Sequence, residues 1–220
     1  MNWRLILDPA SAAAYNMAAD EALLREVTAP ILRIYNWAED AQTIGYFQKA
    51  EVAIPGVPMV RRYTGGGLVD HRHDQTYTVI LPRSHPWMEL PTPESYSKIH
   101  EGVLAAIQRL GIPAQLAPCC DENESAACFQ KAVKYDITAP DGVKISGAAQ
   151  RRTREGLLHQ GSILLPDPTQ NEALYELLGQ VMGETLGFDW TLGELTESEQ
   201  KRAHILAVER YATDAWNHRV

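Results

Sequence analysis

Residues 61–71 read Arg-Arg-Tyr-Thr-Gly-Gly-Gly-Leu-Val-Asp-His, and no other stretch restricts the chain so strongly. Three successive glycines after a strand-like Met59-Val60 let the backbone pass close to a ligand, because no Cβ intervenes and positive φ costs nothing. Arg61 and Arg62 supply fixed positive charge just before the loop, and Thr64 places a hydroxyl on its rim. Cations, a hydroxyl and open backbone N–H groups together outline a site for an anion or an acyl oxygen. A glycine triplet also serves as a plain tight turn, so this stretch alone leaves both readings open.

The 220 residues fit one domain, 1–220, and with 45% apolar residues they can bury a sizeable core. A formal net charge of −8, from 28 acidic and 20 basic residues, argues against nucleic acid as the partner. No apolar run approaches a membrane span and no leader is visible, which implies a cytoplasmic protein that does not act at a membrane. Cys119, Cys120 and Cys128 are odd in number and crowded, unlike a secreted disulfide framework. Adjacent cysteines also lack the spacing of a structural zinc pair, so the sequence assigns no metal site.

Trp3 to Leu7 reads as a strand ended by Asp8-Pro9, and Ser11 as the cap of a helix reaching about Val27. Ile31 to Trp37 and Gln42 to Gln48 read as neighbouring strands that form one side of a pocket. Gln75 to Leu81 is the strongest strand pattern, closed by Pro82, and Pro93 opens a helix that Gly111 and Pro113 stop. Residues 117–133 read as a loop. Tyr135-Asp136-Ile137 and Val143-Lys144-Ile145 form a hairpin across Pro140-Asp141-Gly142, and Leu157 to Leu165 is a further strand. The rest reads as helical, with Thr196 and Glu199 as the capping box of a terminal helix reaching about Trp216. Strands and helices mixed without regular alternation imply a single α+β domain.

A second cluster is Lys144-Ile145-Ser146-Gly147-Ala148-Ala149-Gln150, followed by His159-Gln160-Gly161-Ser162. A strand lysine followed by small residues can bring an ammonium to an acyl or phosphate oxygen and leave room for a substrate. Several blocks then match in order: Asn16 to Glu21, Leu32-Arg33 with Tyr35 and Trp37, Gly45 with Gln48, the Arg-Arg-x-Thr-Gly-Gly-Gly loop with His71, Tyr135-Asp136, Lys-Ile-Ser-Gly-x-Ala, and Gly161-Ser162. Taken together over roughly residues 3–180, they resemble the biotin/lipoate protein ligase family, in its lipoate-protein ligase and octanoyltransferase branches.

The resemblance implies a mixed β-sheet flanked by helices, without an accessory C-terminal domain. It also implies transfer of an octanoyl or lipoyl group to a lysine of a lipoyl-domain protein. In that pattern Lys144 contacts the acyl carbonyl or an adenylate phosphate, and Asp136 orients Lys144 or a metal ion. Gly65, Gly66 and Gly67 line the pocket with Arg62, Thr64 and His71 beside them; Trp37 belongs to an apolar tunnel. Ser146, Gly147, Ala149 and Gly161 complete the substrate-binding set. In the transferase branch Cys128 takes the acyl group from a carrier protein or a lipoylated protein as a thioester, and no cofactor is needed; a cation beside the thiol favours the reactive thiolate. In the ligase branch ATP and magnesium make lipoyl-AMP and no cysteine is required. Gly67 fits the ligase loop, where the transferases usually carry arginine, and Gln160 stands where the family often has histidine. A shift of one residue along a strand reverses the facing of a side chain, so His159 does not replace that histidine. A non-catalytic acyl- or nucleotide-binding module is the third reading.

Overall fold

The computed structural model describes residues 2–118 and 132–219. In chain order the elements are β1 (Asn2–Leu7), α1 (Ala13–Glu26), β2 (Ile31–Tyr35), β3 (Gln42–Ile44), β4 (Met59–Arg61), β5 (Val69–Asp70), β6 (Gln75–Pro82), α2 (Thr92–Arg109), β7 (Gln115–Leu116), β8 (Ile137–Thr138), β9 (Lys144–Arg152), β10 (Gly156–Ile163), α3 (Asn171–Leu186), β11 (Asp189–Gly193), α4 (Glu197–Leu206) and α5 (Asp214–Asn217). The large sheet has strand order β11-β1-β2-β6-β10-β9-β8-β7, and a small one has the order β4-β3-β5. Both are mixed: β1 is parallel to β11 and β2, β3 is parallel to β4, and the other pairs are antiparallel.

Side chains alternate across a strand with period two, and the large sheet uses both faces. Leu32, Ile34, Val79, Leu81 and Leu157 point into a core shared with α2 and α3. The intervening Ile31, Ile80 and Leu158 pack instead with Ala19, Leu23 and Ala203 of α1 and α4. Burying each such Leu or Ile contributes about 1.5–3 kcal/mol.

The α1 face grades from apolar to polar along three adjacent strands. Ile31, Ile80 and Leu158 lie side by side in one row; Arg33, Thr78 and Gln160 form the next; Tyr35, Thr76 and Ser162 form the third. Asp20 of α1 closes the middle row, accepting from Arg33 Nη1 at 2.7 Å, Thr78 Oγ1 at 2.9 Å, Gln160 Nε2 at 2.7 Å and Tyr35 Oη at 3.1 Å. Arg33 also donates to Asp8 at 2.6 Å and to Asn16 Oδ1 at 2.9 Å. Burial opposes the charge on Arg33, but the two carboxylates more than offset it, and its pKa is raised.

A second buried cation joins the small sheet to the chain's last helix. Arg61 donates to the carbonyls of Gly45, Gln48, Trp216 and Asn217 at 2.5–3.1 Å, so α5 and the turn after β3 close on one guanidinium.

Four local expectations are corrected. Ser11 does not cap α1: Ala12 holds that position with no side-chain bond, and Ser11 bridges to Trp37 instead. The Gln42 segment is not a neighbour of β2, which pairs with β1 and β6; β3 instead centres the small sheet. The C-terminal region is not all helix, because β11 adds a parallel edge strand. The terminal helix keeps its capping box but gives way to a π-helical turn at Ala207–Tyr211 before α5.

Arg33→Met should destabilise the fold by about 3–5 kcal/mol, since it leaves buried Asp20 without its cation. A urea titration reads this loss, and an unchanged midpoint would show that the polar rows do not depend on the ion pair.

Candidate functional site

The small sheet meets β9 and β10 at a narrow cavity of about 40 Å3. Thr43, Arg62, Val69 and His71 wall it on one side; Lys144, Gly147, Ala149, Gln160 and Gly161 face them from the large sheet.

Lys144 opens β9, and its Nζ lies 2.8 Å from Asp136 Oδ2 across the β8–β9 hairpin. Asp136 is fully buried and held from other sides: Val133 N donates at 2.8 Å and Tyr96 Oη donates to Oδ1. Tyr96 in turn accepts from Ala148 N at 2.9 Å. Beside Asp136, Tyr135 has φ +72°, a left-handed backbone that costs a non-glycine residue energy and clusters at functional sites. Gly147 makes the ion pair possible. A Cβ there would sit 2.4 Å from Lys144 Cε and 2.5 Å from its Nζ, so any side chain must displace the ammonium.

On the opposite wall Arg62 Nη2 donates to Gly65 O at 2.7 Å and Gly67 O at 2.6 Å, while Nη1 reaches Thr43 Oγ1 at 3.2 Å. The three glycines are not part of the cavity wall. Gly65 and Gly67 turn their carbonyls to the guanidinium, and Gly66, at φ +81°, comes so near Gly45 that a Cβ on Gly45 would lie 1.9 Å from its oxygen. Thr64 is also behind the wall, donating to Gln160 Oε1 at 2.7 Å. His71 is bracketed by Thr43 Oγ1 and Asp74 Oδ2, each 2.8 Å from a ring nitrogen.

Trp37 does not line this cavity. Its indole stacks on His71 at 4.0 Å between centroids and donates to Thr76 Oγ1 at 2.8 Å, so it backs the imidazole. Ser146 is buried beneath the wall. Cys128 lies outside the described residues, as do Cys119, Cys120 and most of the loop expected over 117–133. Asp136 pairs with Lys144, and among the described residues no three His, Cys, Asp or Glu side chains group as metal ligands do. The sequence reading did not assign Thr43, Thr76, Asp74 or Gln160 to the site. Thr76 and Gln160 share the faces of Thr78 and Ser162, a signal the period-two pattern carried once the pairing was known.

His159 faces the far side of β10, where Tyr77 Oη lies 3.2 Å from Nε2 and Gln150 Nε2 3.0 Å from Nδ1. Near it His100 donates from Nδ1 to Tyr135 O at 2.7 Å. Burial holds both imidazoles neutral: His100 is pushed down to about 4, and His159 well below its usual value.

The family model of the lipoyl protein ligase A/B catalytic domain matches residues 12–184. Octanoyltransferase LipM of Kyrpidia tusciae is 32% identical over 272 aligned residues that cover 99% of this chain and 98% of that protein. LipM of Bacillus subtilis is also 32% identical, again over 99% and 98%. A putative lipoate protein ligase from T. acidophilum with bound lipoic acid superposes with a TM-score of 0.82 at 25% identity, over 100% of both chains. A lipoate-protein ligase A bound with ATP gives a TM-score of 0.81 at 25% identity, over 99% of each.

Gly147→Ala should destabilise the protein by about 1–3 kcal/mol through overpacking and force Lys144 off Asp136. Unchanged stability in a denaturant titration would show that the ammonium moves aside freely. Acid should weaken the fold through His100. Its folded value of about 4 lies below the unfolded 6.5, so between them the unfolded chain binds the extra proton. Stability then falls as pH drops through that window, by up to about 1.4 kcal/mol per unit for this group. His100→Gln should flatten the slope by one proton's worth in unfolding titrations from pH 4 to 7; an unaltered slope would remove His100 as the cause.

Proposed function

The chain belongs to the lipoyl protein ligase A/B catalytic-domain family, and from that premise we propose that it moves an octanoyl or lipoyl group onto a lysine of a lipoyl-domain protein through a thioester on Cys128. The observation that carries this reading is Lys144 in the wall of a narrow cavity, held there by buried Asp136. An ammonium fixed in that way stabilises the oxyanion that develops when a nucleophile adds to an acyl carbonyl, and it needs no reorganisation to do so. The whole-length likeness to two octanoyltransferases supports the transferase branch.

In this reading the donor is an acyl carrier protein or a lipoylated protein, the reaction takes place in the cytoplasm, and no cofactor takes part. The Cys128 thiolate attacks the donor acyl carbon; the carrier-protein thiolate leaves from a thioester donor, or the lysine amine leaves with a proton taken from its surroundings when the donor is the amide of a lipoylated protein, and the enzyme-bound acyl group passes to the acceptor amine. Arg62 and Lys144 lie on opposite walls and orient the acyl head between them. No helix among the described residues is long and apolar enough to cross a membrane.

A second reading, an ATP-dependent ligase working through lipoyl-AMP with magnesium, is favoured by the likeness to a ligase bound with ATP and by Gly67 in the loop. There Lys144 would meet the adenylate phosphate. Intact-mass spectrometry after mixing the protein with octanoyl carrier protein, without ATP, separates the two. The thioester route predicts a gain of one octanoyl group that vanishes in Cys128→Ala. No adduct, together with lipoyl-AMP once lipoate, ATP and magnesium are supplied, would make the chain a ligase.

A further inference from the structure

Moving an acyl group onto a lysine poses a problem that the Lys144 side of the cavity does not address. The acceptor amine arrives protonated, since a lysine titrates near 10.4, and an ammonium has no lone pair with which to attack. One proton must leave before the C–N bond forms. The wall opposite Lys144 carries a hydrogen-bonded chain suited to taking it.

Two lines of donors converge on Asp74. In the first, Arg62 Nη1 donates to Thr43 Oγ1 at 3.2 Å, which fits a Thr43 hydroxyl that turns its own proton to His71 Nε2 at 2.8 Å. His71 Nδ1–H then faces Asp74 Oδ2 at 2.8 Å. In the second, Trp37 donates to Thr76 Oγ1 at 2.8 Å, and Thr76 donates to the same Asp74 oxygen at 3.0 Å. Ser162 Oγ donates to it as well. Trp37 also covers one face of the imidazole. The other charged groups of the turn, Asp70 and Arg72, pair with each other. The second carboxylate oxygen, Asp74 Oδ1, is buried with no hydrogen-bond partner among the described residues. A carboxylate burying a bare oxygen beside a histidine costs stability unless the charge has a use.

We propose that Thr43, His71 and Asp74 form a proton relay that accepts the ammonium proton of the acceptor lysine, with Asp74 as the positioning residue. The inference rests on the acyl-transfer reading given above but not on which atom carries the acyl group. Thr43 and His71 lie in the cavity wall, and Asp74 bonds His71 from behind it. The ammonium gives one proton to Thr43 Oγ1 as Thr43 passes its own to His71 Nε2, and the imidazolium so formed keeps its Nδ1–H on Asp74. The neutral amine attacks the acyl carbon, forming C–N. The bond to the leaving sulfur, or to the phosphate oxygen in a ligase, then breaks. The second amine proton leaves the tetrahedral intermediate with the departing group, and His71 returns the first to solvent.

The relay predicts a dependence on the basicity of the amine. Enzyme loaded with its acyl group is discharged in one series by a lipoyl domain and in another by hydroxylamine, which is already unprotonated at neutral pH. Asp74→Asn should slow discharge to the lipoyl-domain lysine about 10²-fold, the scale of lost acid–base help, and change discharge to hydroxylamine less than about threefold. Asp74→Glu should restore much of the loss. Thr43→Val, which keeps the strand and every bond to Asp74, should show the same split, so the test does not depend on Asp74→Asn folding. Equal slowing with both amines, or no slowing with either, would overturn the relay. The loading step is scored separately: loading that needs ATP overturns the thioester reading while leaving the amine comparison valid on the adenylate. No loading by either route overturns both.

Discussion

Asp20, fully buried beneath the middle of the large sheet, accepts hydrogen bonds from Arg33, Tyr35, Thr78 and Gln160, which come from three adjacent strands. A carboxylate and a guanidinium this deep are tolerated only when each lone pair and N–H finds a partner. Here the pairing also transmits position to the site. Gln160 holds Asp20 through its N–H and takes the Thr64 hydroxyl through its carbonyl oxygen, so the glycine loop is tied to α1 through one amide. A group that both donates and accepts is required at that point, and glutamine supplies both in any protonation state. The residue that departs from the usual histidine thus has a definite mechanical role.

The two walls of the cavity differ in construction. On β9 the Lys144 ammonium pairs with the Asp136 carboxylate, and the absence of a side chain at Gly147 makes the space. Beside the small sheet, Arg62 donates to the oxygens of Gly65, Gly67 and Thr43, and its neighbour His71 leads to Asp74. One wall suits stabilising negative charge on an acyl oxygen; the other suits moving a proton. An amide-forming transfer needs both functions at one carbonyl.

Much of this was legible in the sequence, for identifiable reasons. Strands such as β6 and β10 show their period, and the Thr196 capping box and the stop at Gly111 are local signals that read without tertiary context. The nearness of Asp136 to Lys144 follows from the family resemblance, and the structure shows the two as an ion pair across the β8–β9 hairpin. What failed was decided at long range. β3 was set beside β2 because they are consecutive, yet its partners β4 and β5 come later in the chain. β11 is largely exposed and short, so neither alternation nor burial marked it as a strand. The glycines show missing side chains, but the sequence does not show that the carbonyls of Gly65 and Gly67 accept from Arg62 or that Gly66 lies against Gly45. The resemblance puts Trp37 in an apolar tunnel; what only the structure shows is that its N–H bonds Thr76 and one ring face stacks on His71.

Facing reverses with each residue of a strand, and along β10 that alternation decides what each side chain meets. His159 cannot stand in for Gln160, and the structure puts the two on opposite faces of β10: one among Tyr77, Gln150 and His100, the other between Thr64 and Asp20. Along the same strand Leu158, Gln160 and Ser162 share a face, and they meet in turn the apolar core, the Asp20 network and Asp74. A single strand therefore runs from packing to positioning to the proton relay in steps of two residues. Any insertion of one residue in β10 would interchange all three with the opposite face, which makes the register of this strand, more than the identity of any one side chain on it, the condition for the site to exist.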